Sequence, residues 1–174
     1  MKRATLSGQR ARTRSFSLLE VVIALGVITV GIVGILAVFP TALQTGHSAQ
    51  DETRAAHIAQ SVFGSLVAGA SSQFSNVQLP LYPSPSPVPT PLSINLTTGS
   101  GTTPAVTVYA DNDGNLIPNA TNAAYAIFIY TNNSVPGFTD PASANQVTVR
   151  VAWPASAPAA NQTFRDYVRI ISKY

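Results

Sequence analysis

The chain has 174 residues, of which only 10% are charged, and it carries no cysteine. That length leaves room for one small domain beside a membrane span and a leader, and the missing cysteines exclude disulfides, thiolate nucleophiles and cysteine metal sites. The net charge of +3 is unevenly placed: residues 1–14 hold five basic residues and no acid, whereas the remainder holds five basic and seven acidic residues, a net −2.

Residues 1–15 read as a basic leader peptide, polar and without periodicity. Residues 16–40 read as a transmembrane helix. From Val21 to Phe39 nineteen consecutive residues carry no charge, and Thr29 alone among them has a polar side chain. At ~1.5 Å per residue such a helix spans about 29 Å, close to the hydrocarbon thickness of a bilayer. The basic N-terminus is expected to stay in the cytoplasm and the residues after Phe39 to cross. Glu20 stands just inside the N-terminal end of the apolar run. A carboxylate costs about 2.5–3.5 kcal/mol at the centre of an inserted helix and less near the interface, so Glu20 is expected to have a partner.

Pro40 is expected to kink the helix, because it removes a backbone donor and crowds the preceding turn. Residues 41–72 then read as an amphipathic helix. Ala55, Ile58, Ala59, Val62, Phe63, Leu66 and Val67 fall on one face, and Glu52, Thr53, His57, Gln60, Ser61 and Gly64 on the other. Gly69, Ser71 and Ser72 mark its end. His47 and His57 have no acid or cysteine clustered with them, so no metal or catalytic role is assigned to them.

Residues 73–104 read as a Pro/Ser/Thr-rich linker. Its prolines, from Pro80 to Pro104, argue against helix and central strand alike, and the run from Tyr82 to Pro91 favours polyproline II. The expectation is a stiff surface connector, with a docking strip for a proline-recognising partner as the sharper alternative. From Ala105 the period becomes two. Strands are expected at 105–110, 115–118, 123–131, 145–153 and 163–172, separated by turn residues. Residues 105–174 thus read as a small antiparallel β-meander, and the whole as an α+β fold with a long N-terminal helix packed on that sheet. Val147, Val149, Val151 and Trp153 share one strand face, and Thr148 and Arg150 the other. Val168 and Ile170 alternate with Tyr167, Arg169 and Lys173. The helix face centred on Ile58, Val62 and Leu66 is the large apolar surface available to cover the sheet.

Two constellations carry alternative readings. Asp111, Asp113 and Asn115 offer oxygen side chains at alternate positions, as in calcium loops. Leu116 stands where an EF-hand needs glycine, however, and the closing acid is missing, so a plain Asp-Gly hairpin turn is the competing reading. Arg165, Tyr167, Arg169 and Lys173, with Arg150 beside them, place basic groups around an aromatic, a pattern that suits single-stranded nucleic acid. The net −2 of the chain after the leader argues for a solvated sheet face instead. No cofactor is expected. No nucleophile elbow, phosphate loop or paired catalytic carboxylates occur, so no enzyme is expected either.

The basic leader, the string Ser15-Phe16-Ser17-Leu18-Leu19-Glu20 and the apolar helix continuing past Pro40 resemble the type IV prepilins and pseudopilins. The motif resemblance covers residues 10–45, and the layout of helix, linker and antiparallel sheet extends it over the chain. It implies that a prepilin peptidase cuts between Ser15 and Phe16 and methylates the amine of Phe16, leaving 159 of the 174 residues. Phe16, Leu18, Leu19 and Glu20 match the motif, while Ser15 stands where the family usually has glycine. The resemblance further implies a minor pilin or pseudopilin subunit in the inner membrane. Its N-terminus is then cytoplasmic and its C-terminal domain periplasmic or on an extracellular filament. Assembly is expected through residues 16–40, with other pilin-like subunits and an inner-membrane platform, into a type IV pilus or a type II secretion-like filament. Glu20 of one subunit is expected to neutralise the Phe16 amine of its neighbour. Pro40, the stretch from Ala55 to Gln60, the turn from Tyr109 to Leu116 and the terminal strand are similar to the prepilin-like proteins called Verru_Chthon cassette protein B. Apart from the resemblance, the same anchor suits a periplasmic or surface ligand-binding module that does not polymerise.

Overall fold

A computed structural model describes residues 17–82, 90–138, 140 and 143–173. Ser15, Phe16 and the proline-rich residues 83–89 lie outside the described residues. The fold is α+β. Among the described residues one helix, α1 (Leu18–Ala70), precedes seven strands: β1 (Val77–Leu81), β2 (Thr90–Ile94), β3 (Ser100–Ala110), β4 (Leu116–Ile117), β5 (Tyr125–Asn132), β6 (Ala144–Trp153) and β7 (Thr163–Ser172). A short 3-10 turn, Ala159–Asn161, precedes β7. The chain divides into two units, Met1–Gly46 and His47–Tyr174.

The described part of the first unit is helical from Leu18, and Pro40 does not interrupt it. Every residue from Ser17 to Gln50 is exposed.

The second unit holds the core. Residues 55–70 of α1 bury Ala55, Ile58, Ala59, Val62, Phe63, Leu66 and Ala70, which recur at three- and four-residue steps as the sequence pattern requires. Glu52, Thr53, His57, Gln60, Ser61 and Gly64 are exposed. Past Ala70 the chain turns on Gly69, whose carbonyl accepts the N–H of Ser72 (3.1 Å) and of Gln73 (3.0 Å). The hydroxyls of Ser71 and Ser72 donate to the carbonyls of Ala68 (2.8 Å) and Gly69 (2.9 Å), satisfying acceptors the helix end leaves open. The buried helix face joins one apolar cluster with Val108, Ile127, Ile129, Val147, Val149 and Val151 from the sheet.

That sheet has five strands in the order β4-β3-β5-β6-β7, all antiparallel. It departs from the expected meander at one point. β5 does not pair with β4 but returns to the other edge of β3. β4 has only two residues, so it offers almost no ladder, whereas β3 has eleven.

The expected linker over 73–104 is corrected in three places. β1 and β2 form a separate antiparallel pair inside it, and their Val77, Leu79, Leu81 and Ile94 are buried in the main cluster. Proline is tolerated because a two-stranded sheet consists only of edge strands, and Pro80 stands opposite Pro91. β3 begins at Ser100 rather than near 105, with register shifts on both sides of Pro104. There β3 lies beyond the reach of β4, so the proline sits on an open edge beside a bulge.

β7 corrects the face assignment. Tyr167 lies opposite Val149, Arg165 opposite Val151 and Arg169 opposite Val147, so these three side chains share the face that α1 covers. Val168 (58% exposed) and Ile170 (54% exposed) lie on the outer face instead. Arg150 also lies on the outer face, opposite Asp166, and not beside the Arg165–Arg169 row.

Candidate functional site

The helix begins at a serine cap. The backbone N–H of Glu20 meets both the carbonyl (3.0 Å) and the hydroxyl oxygen (3.2 Å) of Ser17, and the N–H of Val21 reaches the same carbonyl (3.2 Å). Ser17-Leu18-Leu19-Glu20 is the serine-x-x-glutamate spacing of a capping box, a signal that sequence inspection passed over. Glu20 therefore has a local role: a negative charge in the first helical turn faces the positive end of the helix dipole, worth about 0.3–1 kcal/mol at an exposed site. Leu18 and Leu19 beside it are 82% and 68% exposed.

From Leu18 to Leu43 every large apolar side chain is exposed, on all sides of the helix. The polar groups among them are turned inward on the backbone. Thr29 donates its hydroxyl to the carbonyl of Leu25 (2.7 Å), and Thr41 donates to Val38 (2.7 Å). Each hydroxyl is satisfied without water, as an apolar solvent demands. Gly31, Gly34, Ile35, Val38, Phe39 and Ala42 line a shallow apolar depression along the helix. The stretch is long and apolar enough to cross a membrane.

The loop between β3 and β4 is a capped turn. Asp111 Oδ1 accepts the N–H groups of Asp113 (3.0 Å) and Asn115 (2.9 Å), and Oδ2 accepts the side-chain amide of Asn115 (3.0 Å). Gly114 takes φ +86°, which only glycine adopts without strain. The carboxylate of Asp111 thus closes the turn. Among the described residues no group of three or more His, Asp or Glu side chains converges as a metal site.

The basic residues of β7 are distributed rather than pooled. Arg165 pairs with Glu52 of α1 at 2.7 Å. Tyr167 packs against the core, and burial pushes its phenol above the ordinary value. Arg169 and Lys173 are exposed. On the outer face Arg150 makes a two-pronged pair with Asp166 (2.7 and 2.8 Å) and lies over the Phe164 ring at 4.4 Å and the Tyr130 ring at 5.6 Å. Its hydrogen bonds hold the Asp166 carboxyl below the usual carboxylate range, against a smaller opposing effect of burial.

The chain matches no family model, no curated protein and no solved structure.

Of the residues singled out by sequence, Leu18, Leu19 and Glu20 stand together at the start of α1. Asp111 and Asn115 meet in one turn. Arg165 and Tyr167 share a face but serve the helix–sheet junction. Three features escaped sequence reasoning: the Ser17 cap, the Arg150–Asp166 pair, and a hydrogen bond from Tyr125 to Asp51 (3.1 Å) that ties β5 to α1. Only the first had a local signal. The other two join residues 16 and 74 positions apart.

Proposed function

We propose that the chain is a non-catalytic, pilin-like structural subunit, a minor pilin or pseudopilin. In this reading it is anchored in the inner membrane by residues 16–40 and assembles through the same helix with other copies or other pilin-like subunits. The observation that carries the reading is the fully exposed apolar surface from Leu18 to Leu43 with one carboxylate, Glu20, at its N-terminal end. A helix apolar on every side is unstable in water and needs lipid or other helices around it. A plain anchor needs no acid near its membrane end. An assembling helix gains from one when a neighbour supplies the matching cation, here the amine that cleavage before Phe16 creates. Moving either charge alone into a helix bundle leaves it unpaired in a low dielectric, which rejects a wrong register. The N-terminus is cytoplasmic in this reading and the second unit lies across the membrane.

Two measurements test it. Intact mass of the membrane-extracted protein is expected to show a chain beginning at methylated Phe16. Recovery of only the uncut chain overturns the processing step. Cysteine cross-linking between copies then separates the two roles of Glu20. Capping and dipole effects survive partly in Glu20→Gln, whereas charge pairing is lost. Both Glu20→Gln and Glu20→Ala are therefore expected to insert in the membrane but to lose cross-linking. Wild-type cross-linking in Glu20→Gln overturns the pairing role.

A further inference from the structure

Where β5 begins and β6 ends, the second unit carries a cleft of about 480 Å³. Asp51 of α1, Asn112 of the β3–β4 turn, Asn122, Tyr125, Trp153 and Pro154 line it. Its walls are held by long-range contacts. The Tyr125 hydroxyl donates to Asp51 Oδ1 at 3.1 Å, and the Tyr125 and Trp153 rings stand 6.3 Å apart at 58°. The N–H of Ala124 donates to the Ala110 carbonyl and that of Ala155 to the Ala124 carbonyl, each at 2.9 Å, which joins β3, β5 and the end of β6. Asn122 holds φ +63°, a left-handed conformation uncommon outside glycine, and it sits on the rim.

The chemistry of the walls narrows the occupant. Trp153 is half-buried and supplies a flat apolar surface. Asn112 and Asn122 add amides that both donate and accept, and Asp51 adds a carboxylate already oriented by a phenol. An apolar ligand would strip these groups of water without replacing it. An anion meets Asp51. A free cation finds the Asp51 carboxylate already engaged by the Tyr125 hydroxyl. What remains is a neutral molecule with an apolar face and a rim of hydroxyls. We infer that this cleft binds a neutral oligosaccharide, one sugar ring lying against Trp153 and its hydroxyls reaching Asp51, Asn112 and Asn122.

Trp153 is the only tryptophan of the chain, so its fluorescence reports the cleft directly. The experiment titrates the full chain, in a detergent without a sugar headgroup, with maltotriose, cellotriose and triacetylchitotriose. At least one is expected to change the Trp153 emission saturably with Kd below about 1 mM. Asp51→Asn, and separately Asn112→Ala, is expected to weaken that binding by about tenfold. Asn112 is exposed, so its replacement leaves the fold in place and near-ultraviolet circular dichroism checks this. Three outcomes overturn the inference. One is no saturation by any of the three sugars up to about 10 mM. The second is binding that neither substitution weakens. The third is displacement of the sugar by arginine amide at lower concentration, which marks a cation site.

Discussion

Asn145 is fully buried, and each end of its amide is used. Its Nδ2 donates to the carbonyls of Leu96 (2.8 Å) and Thr98 (3.4 Å), and its Oδ1 accepts the N–H of Asn132 (3.0 Å). One side chain thus ties β5, β6 and the segment after β2. Asn145→Ala leaves the buried Leu96 carbonyl and the half-buried Asn132 N–H unpaired and is expected to cost about 2–3 kcal/mol, measured by urea unfolding. Gly99 supports the same junction: it takes φ +127°, and a Cβ there would collide with the Thr131 carbonyl oxygen. At the surface the decisive pair is Arg150 with Asp166. A carboxyl held low in the folded state contributes stability that is present above its unfolded value, about 3.9, and lost as pH falls through the folded one. Arg150→Met keeps an unbranched side chain at that position but removes the hydrogen bonds to Asp166 and the cation over Phe164. Asp166 is then expected to titrate higher, in the ordinary carboxylate range, and the acid-side stability step at that pair is expected to disappear. Carboxyl NMR reads both forms, and an unchanged titration would sink the pairing. Neither Asn145 nor Arg150 announces its partner in sequence, because the partner is chosen by strand register.

Elements were legible to the extent that one period dominated them. The second half of α1 repeats apolar residues at helical steps, and those predicted positions from Ala55 to Leu66 are the buried ones. Leu66→Ala is expected to cost about 2–5 kcal/mol because Leu66 is fully enclosed, whereas Leu36→Ala, at 62% exposure, is expected to change the stability of the second unit by less than about 0.5 kcal/mol. Urea unfolding of the two variants in one detergent makes the comparison, and equal losses would contradict the division into units. β1 and β2 were illegible because their prolines signal against sheet, and only an isolated edge–edge pair accommodates them. β7 was legible as a strand but not as a face. Both of its sides carry apolar residues, Tyr167 and Ile171 on one and Phe164, Val168 and Ile170 on the other, and period two alone does not say which turns inward. Register against Val147, Val149 and Val151 decides it.

At the scale of the molecule, the two units have opposite solvent requirements. The first has an apolar surface from Leu18 to Leu43, and none of its described residues is buried. Every buried apolar residue described lies between Ala55 and Ile171, inside the second unit. A chain starting at His47 therefore loses no core residue. Its new helix end carries Asp51 and Glu52 within the first turns, where negative charge favours the helix dipole. It also retains the Glu52–Arg165 pair and the Tyr125–Asp51 hydrogen bond, both of which fix α1 to the sheet. The fragment 47–174 is expected to be soluble without detergent. It is expected to unfold cooperatively in urea, with a free energy within about 1 kcal/mol of that of the second unit in the intact chain. Near-ultraviolet circular dichroism from Trp153 and Tyr125 reports whether the packed core survives. A fragment that keeps its helix and strand content but loses that signal would show that the second unit depends on residues before His47, and the division of labour between anchor and domain would fail with it.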